Sequence, residues 1–103
     1  MAFINKIDQQ EAFQLLENSG KEFISLFQKG KLSVEIYKPH LCDKQAPHDR
    51  DEFYLIISGI GKFKLLEQET PFKPGDFLYV PAHAEHRFTE FTDDFVTWVF
   101  FIG

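Results

Sequence analysis

The sequence predicts an all-β barrel of one domain with a short N-terminal helix. Three observations carry this prediction. Short runs rich in Phe, Tyr, Val and Ile recur along the chain and are separated by Gly and Pro, as strands and turns alternate in β sandwiches and barrels. Only one segment, near the N-terminus, has helical character, and a βαβ plan needs a helix between each pair of parallel strands. The 103 residues fit one domain, 1–103, which at this size buries roughly 65% of the surface its unfolded chain exposes. Thirteen of them are Phe. Each buried ring removes about 150–250 Å² from water, so the expected core is aromatic and needs no staples.

The elements follow in order. Residues 9–17 are good helix formers, closed by Asn18-Ser19-Gly20, with Asp8 placed to cap the first turn. Residues 22–28 lead into a hairpin-like break at Lys29-Gly30-Lys31, and 32–38 alternate apolar and polar like a half-buried strand. Pro39 to Asp51 is the longest irregular stretch. Residues 53–57 are continuously apolar and stop at Ser58-Gly59-Ile60-Gly61, a glycine pair that suggests a tight turn. Residues 62–67 return as a strand, Pro71, Pro74 and Gly75 mark another break, and 77–80 stop at Pro81. A strand starts at His86 and runs through Phe88, and Phe95 to Ile102 closes the chain with a last β-rich run.

Eleven basic and sixteen acidic side chains give a net charge of −5. With no Lys/Arg run, nucleic acid is not an expected partner. No stretch approaches the ~18 apolar residues that span a bilayer, and Met1 to Gln10 has no charged start followed by an apolar run, so no signal peptide or membrane partner is expected. The single Cys42 excludes an intrachain disulfide and fits a reducing compartment. The expected location is cytoplasmic. Nothing basic adjoins Cys42 in sequence, so it is expected to be an inert thiol.

Chemistry concentrates in the breaks between strands, where His40, His48, His83 and His86 all lie. His48 precedes Glu52 by four residues. On a straight strand, at ~3.3 Å per residue, these two would sit about 13 Å apart, too far to share a metal. A turn through Asp49-Arg50-Asp51 would bring them together. A helix would do the same, but Phe53-Tyr54-Leu55-Ile56-Ile57 followed by Gly59 and Gly61 favours turn-then-strand. His86 would come from a distant strand. Two imidazoles and a carboxylate with open positions form a ligand set suited to iron, manganese, zinc, nickel or copper.

These residues resemble the cupin superfamily. Its first motif is Gly-x5-His-x-His-x3–4-Glu-x6-Gly, and its second is Gly-x5-Pro-x-Gly-x2-His-x3-Asn. Pro47-His48-Asp49-Arg50-Asp51-Glu52, six residues, then Gly59, matches the second half of the first motif. Gly75, five residues, Pro81, then His86, matches most of the second. The resemblance covers about residues 32–102. It points to the small single-domain bacterial cupins whose motif reads Gln-x-Pro-His-x-x-Asp-Glu, here Gln45-Ala46-Pro47-His48-Asp49-Arg50-Asp51-Glu52. It implies a double-stranded β-helix, or jelly-roll barrel, holding one divalent transition metal ion. It also implies oxygenase, isomerase or lyase chemistry on a small organic molecule. A homodimer formed by packed or paired sheets is expected as well.

The departures from the family pattern matter. Ala46 stands where the family has its first metal histidine and cannot ligate. Gln45 is the replacement considered first, through its amide oxygen, with Asp43 and His40 as further candidates. His83 replaces a Gly and Glu90 an Asn of the second motif. His40 and His83 are expected at the surface. Tyr54 shares strand parity with Glu52, and Phe88 and Glu90 share it with His86, so Tyr54 and Glu90 are the expected pocket groups. The superfamily also includes members that bind no metal. The alternatives are therefore a small-ligand-binding module and a metal-free dimeric barrel.

Overall fold

The computed structural model describes residues 5–103; the first four residues of the Met1–Gln10 segment lie outside them. Helix α1 spans Gln9–Ser19. Asp8 caps it by accepting the Glu11 N–H at 2.9 Å, satisfying one of the orphan donors of the first turn. Gly20 ends it in the left-handed conformation, φ 70°, which only glycine adopts without strain. Eight strands follow: β1 Phe23–Lys29, β2 Leu32–Tyr37, β3 Asp51–Ser58, β4 Gly61–Leu65, β5 Gln68–Phe72, β6 Phe77–Val80, β7 His86–Phe91 and β8 Val96–Ile102.

They form two antiparallel sheets, a five-stranded one ordered β1-β2-β8-β3-β6 and a three-stranded one ordered β5-β4-β7. The sheets enclose a core of Tyr37, Tyr54, Ile56, Phe63, Phe72, Val80, Ala84, Phe88, Phe95, Val99 and Phe101. Phe88 is its hub, with ring centroids 4.6 Å from Phe95, 4.8 Å from Phe63, 4.9 Å from Tyr54 and 5.3 Å from Phe72. These are edge and tilted contacts of the kind aromatic quadrupoles favour. The aromatic core and the all-β class expected from the sequence are both present, and the two antiparallel sheets are consistent with a jelly-roll barrel.

Helix α1 lies on the outer face of the larger sheet. There Ala12 and Leu16 bury against Ile36 and Val96, with Ile24, Leu26, Ile57 and Trp98 around them. This has a consequence for the site. The alternation read over 32–38 is present in β2, with Ile36 facing the helix rather than the barrel core. The opposite parity of β2, with Ser33, Glu35 and Tyr37 paired to Phe101, Val99 and Thr97 of β8, faces inward.

Two expectations are corrected. The strand read over 62–67 ends at Leu65, and the supposed break at Pro71 is itself a strand, β5, reached by a turn at Leu66-Glu67. Proline is tolerated because β5 is an edge strand and bonds only to β4. The glycine pair between β3 and β4 does more than turn the chain. A Cβ on Gly61 would lie 1.9 Å from the Glu90 carbonyl oxygen, and one on Gly59 (φ 89°) would lie 2.5 Å from the Phe95 Cα. Only glycine lets β4 approach β7 and the start of β8 this closely.

Candidate metal centre

His48 lies in the irregular segment before β3, the chain bends at Asp49-Arg50, and Glu52 is the second residue of β3. The turn required by the four-residue spacing is thus present. His86 opens β7. Two bonds stitch the motifs together: the His83 N–H donates to the His48 carbonyl at 2.6 Å, and the Ala82 N–H donates to Asp51 Oδ1 at 2.9 Å. His83 has φ 70°, a glycine-like conformation that histidine tolerates better than most residues.

The three side chains converge. Glu52 Oε1 is 2.9 Å from His86 Nε2 and 3.8 Å from His48 Nε2, and one ligand atom from each residue lies within 4.8 Å of the others. Bonds of about 2.0–2.2 Å to one metal hold ligand atoms no more than about 4.4 Å apart, so shifts of a few tenths of an ångström suffice. Glu52 is fully buried, His86 nearly so, and His48 is partly open to solvent.

The electrostatics of the trio carry the argument for a cation. His86 Nδ1 lies 3.0 Å from the Ala84 carbonyl. A carbonyl only accepts, so Nδ1 carries a proton, and Nε2 faces Glu52 as a lone pair in the neutral imidazole and as a donor in the imidazolium. His48 Nε2, His86 Nε2 and both Glu52 oxygens are buried without a hydrogen-bond partner. Buried polar atoms are normally satisfied, and four converging orphans need a positive charge among them. A proton can supply part of it. Burial pushes the His86 imidazole down, but the Glu52 carboxylate, the Ala84 carbonyl and the charge of Asp43 together raise it above its ordinary value. A metal ion can satisfy all four atoms at once. The buried donor set of two imidazoles and one carboxylate therefore fits the group that the motifs imply.

The other candidates divide. Gln45 turns inward, but its Oε1 accepts the Tyr54 hydroxyl at 3.1 Å and its Nε2 donates to Asp43 at 3.2 Å. Tyr54 lies wholly in the interior, as its parity with Glu52 requires. Its hydroxyl is held well above the ordinary phenol range, first by burial and then by the Glu52 charge. Asp43 is buried and takes protein hydrogen bonds, and His40, Ala46 and His83 are exposed.

Glu90 is a correction. A register shift between Lys62 and Phe63 breaks the alternation of β7, so Phe91 packs against the core and Glu90 faces outward, paired with Lys62 at 3.2 Å. It does not face the barrel interior.

Sequence reasoning missed two residues. Glu35 faces the interior from β2, half-buried, with its carboxyl raised by burial and by the charge of Glu52 while Arg50 opposes. The Arg50 guanidinium sits 4.8 Å over the Phe101 ring and donates to Ser33 Oγ at 3.1 Å. The signal for Glu35 was its shared parity with Tyr37.

Two clefts flank the trio. One of about 390 Å³ reaches His86 and Gln45 past Lys64 and Arg87. The other, about 370 Å³, reaches His48 and Gln45 past Glu35, Arg50 and Phe101. Both fall in the range of small-molecule sites. Among the described residues, no helix is long and apolar enough to cross a membrane.

Comparison with known proteins agrees with this fold. The sequence profile described as the cupin domain matches residues 33–102. An uncharacterized protein from Streptomyces coelicolor is 29% identical over 98 residues, covering 93% of this chain and 91% of that protein. The crystal structure of a cupin-2 domain-containing protein from Shewanella frigidimarina NCIMB 400 superposes with a TM-score of 0.72 at 16% identity, over 94% of each chain. The DMSP lyase structures of RdDddP and RnDddQII match with a TM-score of 0.59 at 25% identity, over 79% of this chain and 46% of that one. With both motifs meeting at one buried trio and the profile spanning most of the sequence, the chain belongs to the cupin superfamily.

Proposed function

We propose that this barrel is a mononuclear metalloenzyme acting on a small organic molecule. One divalent transition metal ion would be held by His48, Glu52 and His86, with water completing the shell, since the Gln45 amide oxygen already accepts the Tyr54 hydroxyl. The observation that carries this reading is the convergence of four buried, unpartnered ligand atoms. Such an ion supplies Lewis-acid or redox chemistry. The chain's own part is to orient and desolvate. Ala84 sets the His86 tautomer, Phe101 packs edge-on to the His48 ring at 4.9 Å, and the two clefts give a substrate access from either side. Glu35 offers a half-buried carboxyl in one cleft that can exchange a proton with a bound molecule. Oxygenase, isomerase and lyase chemistry all suit such a site, and the likeness to the DMSP lyases supports keeping the lyase class. Cys42 is exposed and has no cysteine partner, which supports a cytoplasmic location.

The test is metal content after reconstitution with Fe, Mn, Zn, Ni and Cu in turn. Close to one equivalent of at least one metal is expected, lost in His48→Ala. Less than about a tenth of an equivalent for every metal would overturn the reading.

A second reading, a homodimeric module in which the barrel binds without catalysing, is supported by a different observation. Phe77 and Tyr79 of β6 are exposed, and both stack on Phe53, at centroid distances of 5.6 and 5.2 Å. Apolar surface of this kind on an edge strand suits a second copy. A sizing measurement giving a dimer, and a monomer for Phe77→Ser/Tyr79→Ser, would support it; a wild-type monomer would remove it.

A further inference from the structure

We infer that Asp43 is a positioning residue: it orients the Gln45 amide so that Gln45, and not Glu52, takes the Tyr54 hydroxyl proton, which leaves both Glu52 oxygens free for a cation. The inference rests on the metal-site reading above and extends it to residues outside the ligand trio.

Asp43 is a buried carboxylate, 3% exposed, and a carboxylate accepts through about four lone-pair sites. Four donors meet it. Oδ1 takes the Tyr37 hydroxyl at 2.8 Å and the Gln45 backbone N–H at 3.0 Å. Oδ2 takes the Phe88 backbone N–H at 2.9 Å and Gln45 Nε2 at 3.2 Å. Both Asp43 oxygens already act as acceptors, so the Gln45 amide turns its nitrogen toward Asp43. Its oxygen then faces the opposite way and accepts the Tyr54 hydroxyl at 3.1 Å.

That hydroxyl has one proton and two candidate acceptors. Glu52 precedes Tyr54 by two residues on the same face of β3, and both its charge and its closeness to the hydroxyl act on the phenol, although the bond with good geometry goes to Gln45. A carboxylate is the stronger acceptor, because charge-assisted bonds exceed neutral ones. Yet both Glu52 oxygens lack a hydrogen-bond donor. The amide orientation imposed by Asp43 accounts for this: Tyr54 already has its acceptor. The Phe88 N–H bond does a second job. It ties the segment carrying Gln45 to the free edge of β7, the strand that begins with His86.

The test is a double-mutant cycle read by Zn²⁺ affinity in competition titrations. Asp43→Asn frees the Gln45 amide to flip, and Tyr54 then turns to Glu52. Affinity should fall about 10–100-fold, the usual loss on removing an outer-shell partner. Tyr54→Phe alone should bind within about threefold of wild type, since the phenol is then no competitor. The double variant should recover to the Tyr54→Phe value. A double variant as weak as Asp43→Asn would mean that Asp43 matters only for folding, and an unchanged Asp43→Asn would also overturn the inference.

If Asp43→Asn fails to fold, Gln45→Leu replaces it. Its loss should likewise be rescued by Tyr54→Phe, whereas loss of a direct Gln45 ligand would not be. A crystal structure of Asp43→Asn grown in chelator supplies the readout without metal: Tyr54 bonded to Glu52 is expected, and Tyr54 still on Gln45 Oε1 would overturn the inference. Wild-type protein that binds no metal, together with that expected rearrangement, would sink the metal reading and leave the positioning role standing.

Discussion

Replacing Glu52 with Gln should stabilise the metal-free protein while removing its response to metal. Glu52 is fully buried, neither of its oxygens receives a hydrogen bond of good geometry, and His86 Nε2 lies 2.9 Å from its Oε1. A glutamine amide can donate to the Nε2 lone pair of neutral His86, which replaces a buried carboxylate facing that lone pair with a neutral hydrogen bond. An unsatisfied buried group costs about 1–3 kcal/mol, more when it is charged. A net gain of about 1 kcal/mol raises Tm by about 4–8 °C for a domain of this size. With metal the order should reverse, because wild type gains about 2.7 kcal/mol at a free concentration one hundred times Kd and Glu52→Gln loses an anionic ligand. Urea and thermal melts with chelator and with Zn²⁺ check both halves. Glu52→Gln less stable than wild type in chelator would show that Glu52 is a satisfied structural carboxylate, and would refute the reasoning.

Other consequences are open to measurement. The raised His86 value means that its pairing stabilises the metal-free fold fully below the imidazole's ordinary value of 6.5, and that this contribution is lost as pH rises through the higher folded value. Urea melts in chelator should therefore show stability falling with pH above that ordinary value, a slope absent in His86→Gln. Phe88→Ala removes the hub of the core and should cost about 3–5 kcal/mol by denaturant titration; a cost under about 1 kcal/mol would contradict the packing described. Gly61→Ala forces β4 away from the Glu90 carbonyl and should cost more than about 1 kcal/mol, whereas Gly75→Ala, with nothing within 4 Å of the added carbon, should carry only the cost of its positive φ.

The sequence made the site legible because the constraint there is local. His48 and Glu52 can meet only if the chain turns between them, and Asp49-Arg50 turn it. The helix was legible for the same reason, with Asp8 and Gly20 marking its ends. What escaped notice depends on contacts between distant segments. Pro71 reads as a break until β5 is known to lie at a sheet edge. Glu90 keeps the parity of His86 only without the irregularity opposite Lys62-Phe63. In β2 the alternation was legible but its direction was not, because α1 supplies a second apolar layer for Ile36 and frees Glu35 to face the clefts. Asp43 was legible only as a candidate ligand, not as the acceptor that organises the site. Its importance comes from Tyr37, Gln45 and Phe88 meeting one carboxylate, and the Phe88 contact spans 45 residues.

The central claim, that His48, Glu52 and His86 form a metal site, is tested most directly by anomalous diffraction from a reconstituted crystal at the absorption edge of the added metal. A single strong peak within about 2.0–2.4 Å of His48 Nε2, His86 Nε2 and a Glu52 oxygen is the predicted result. A crystal from saturating metal with no anomalous peak among these three side chains would contradict it.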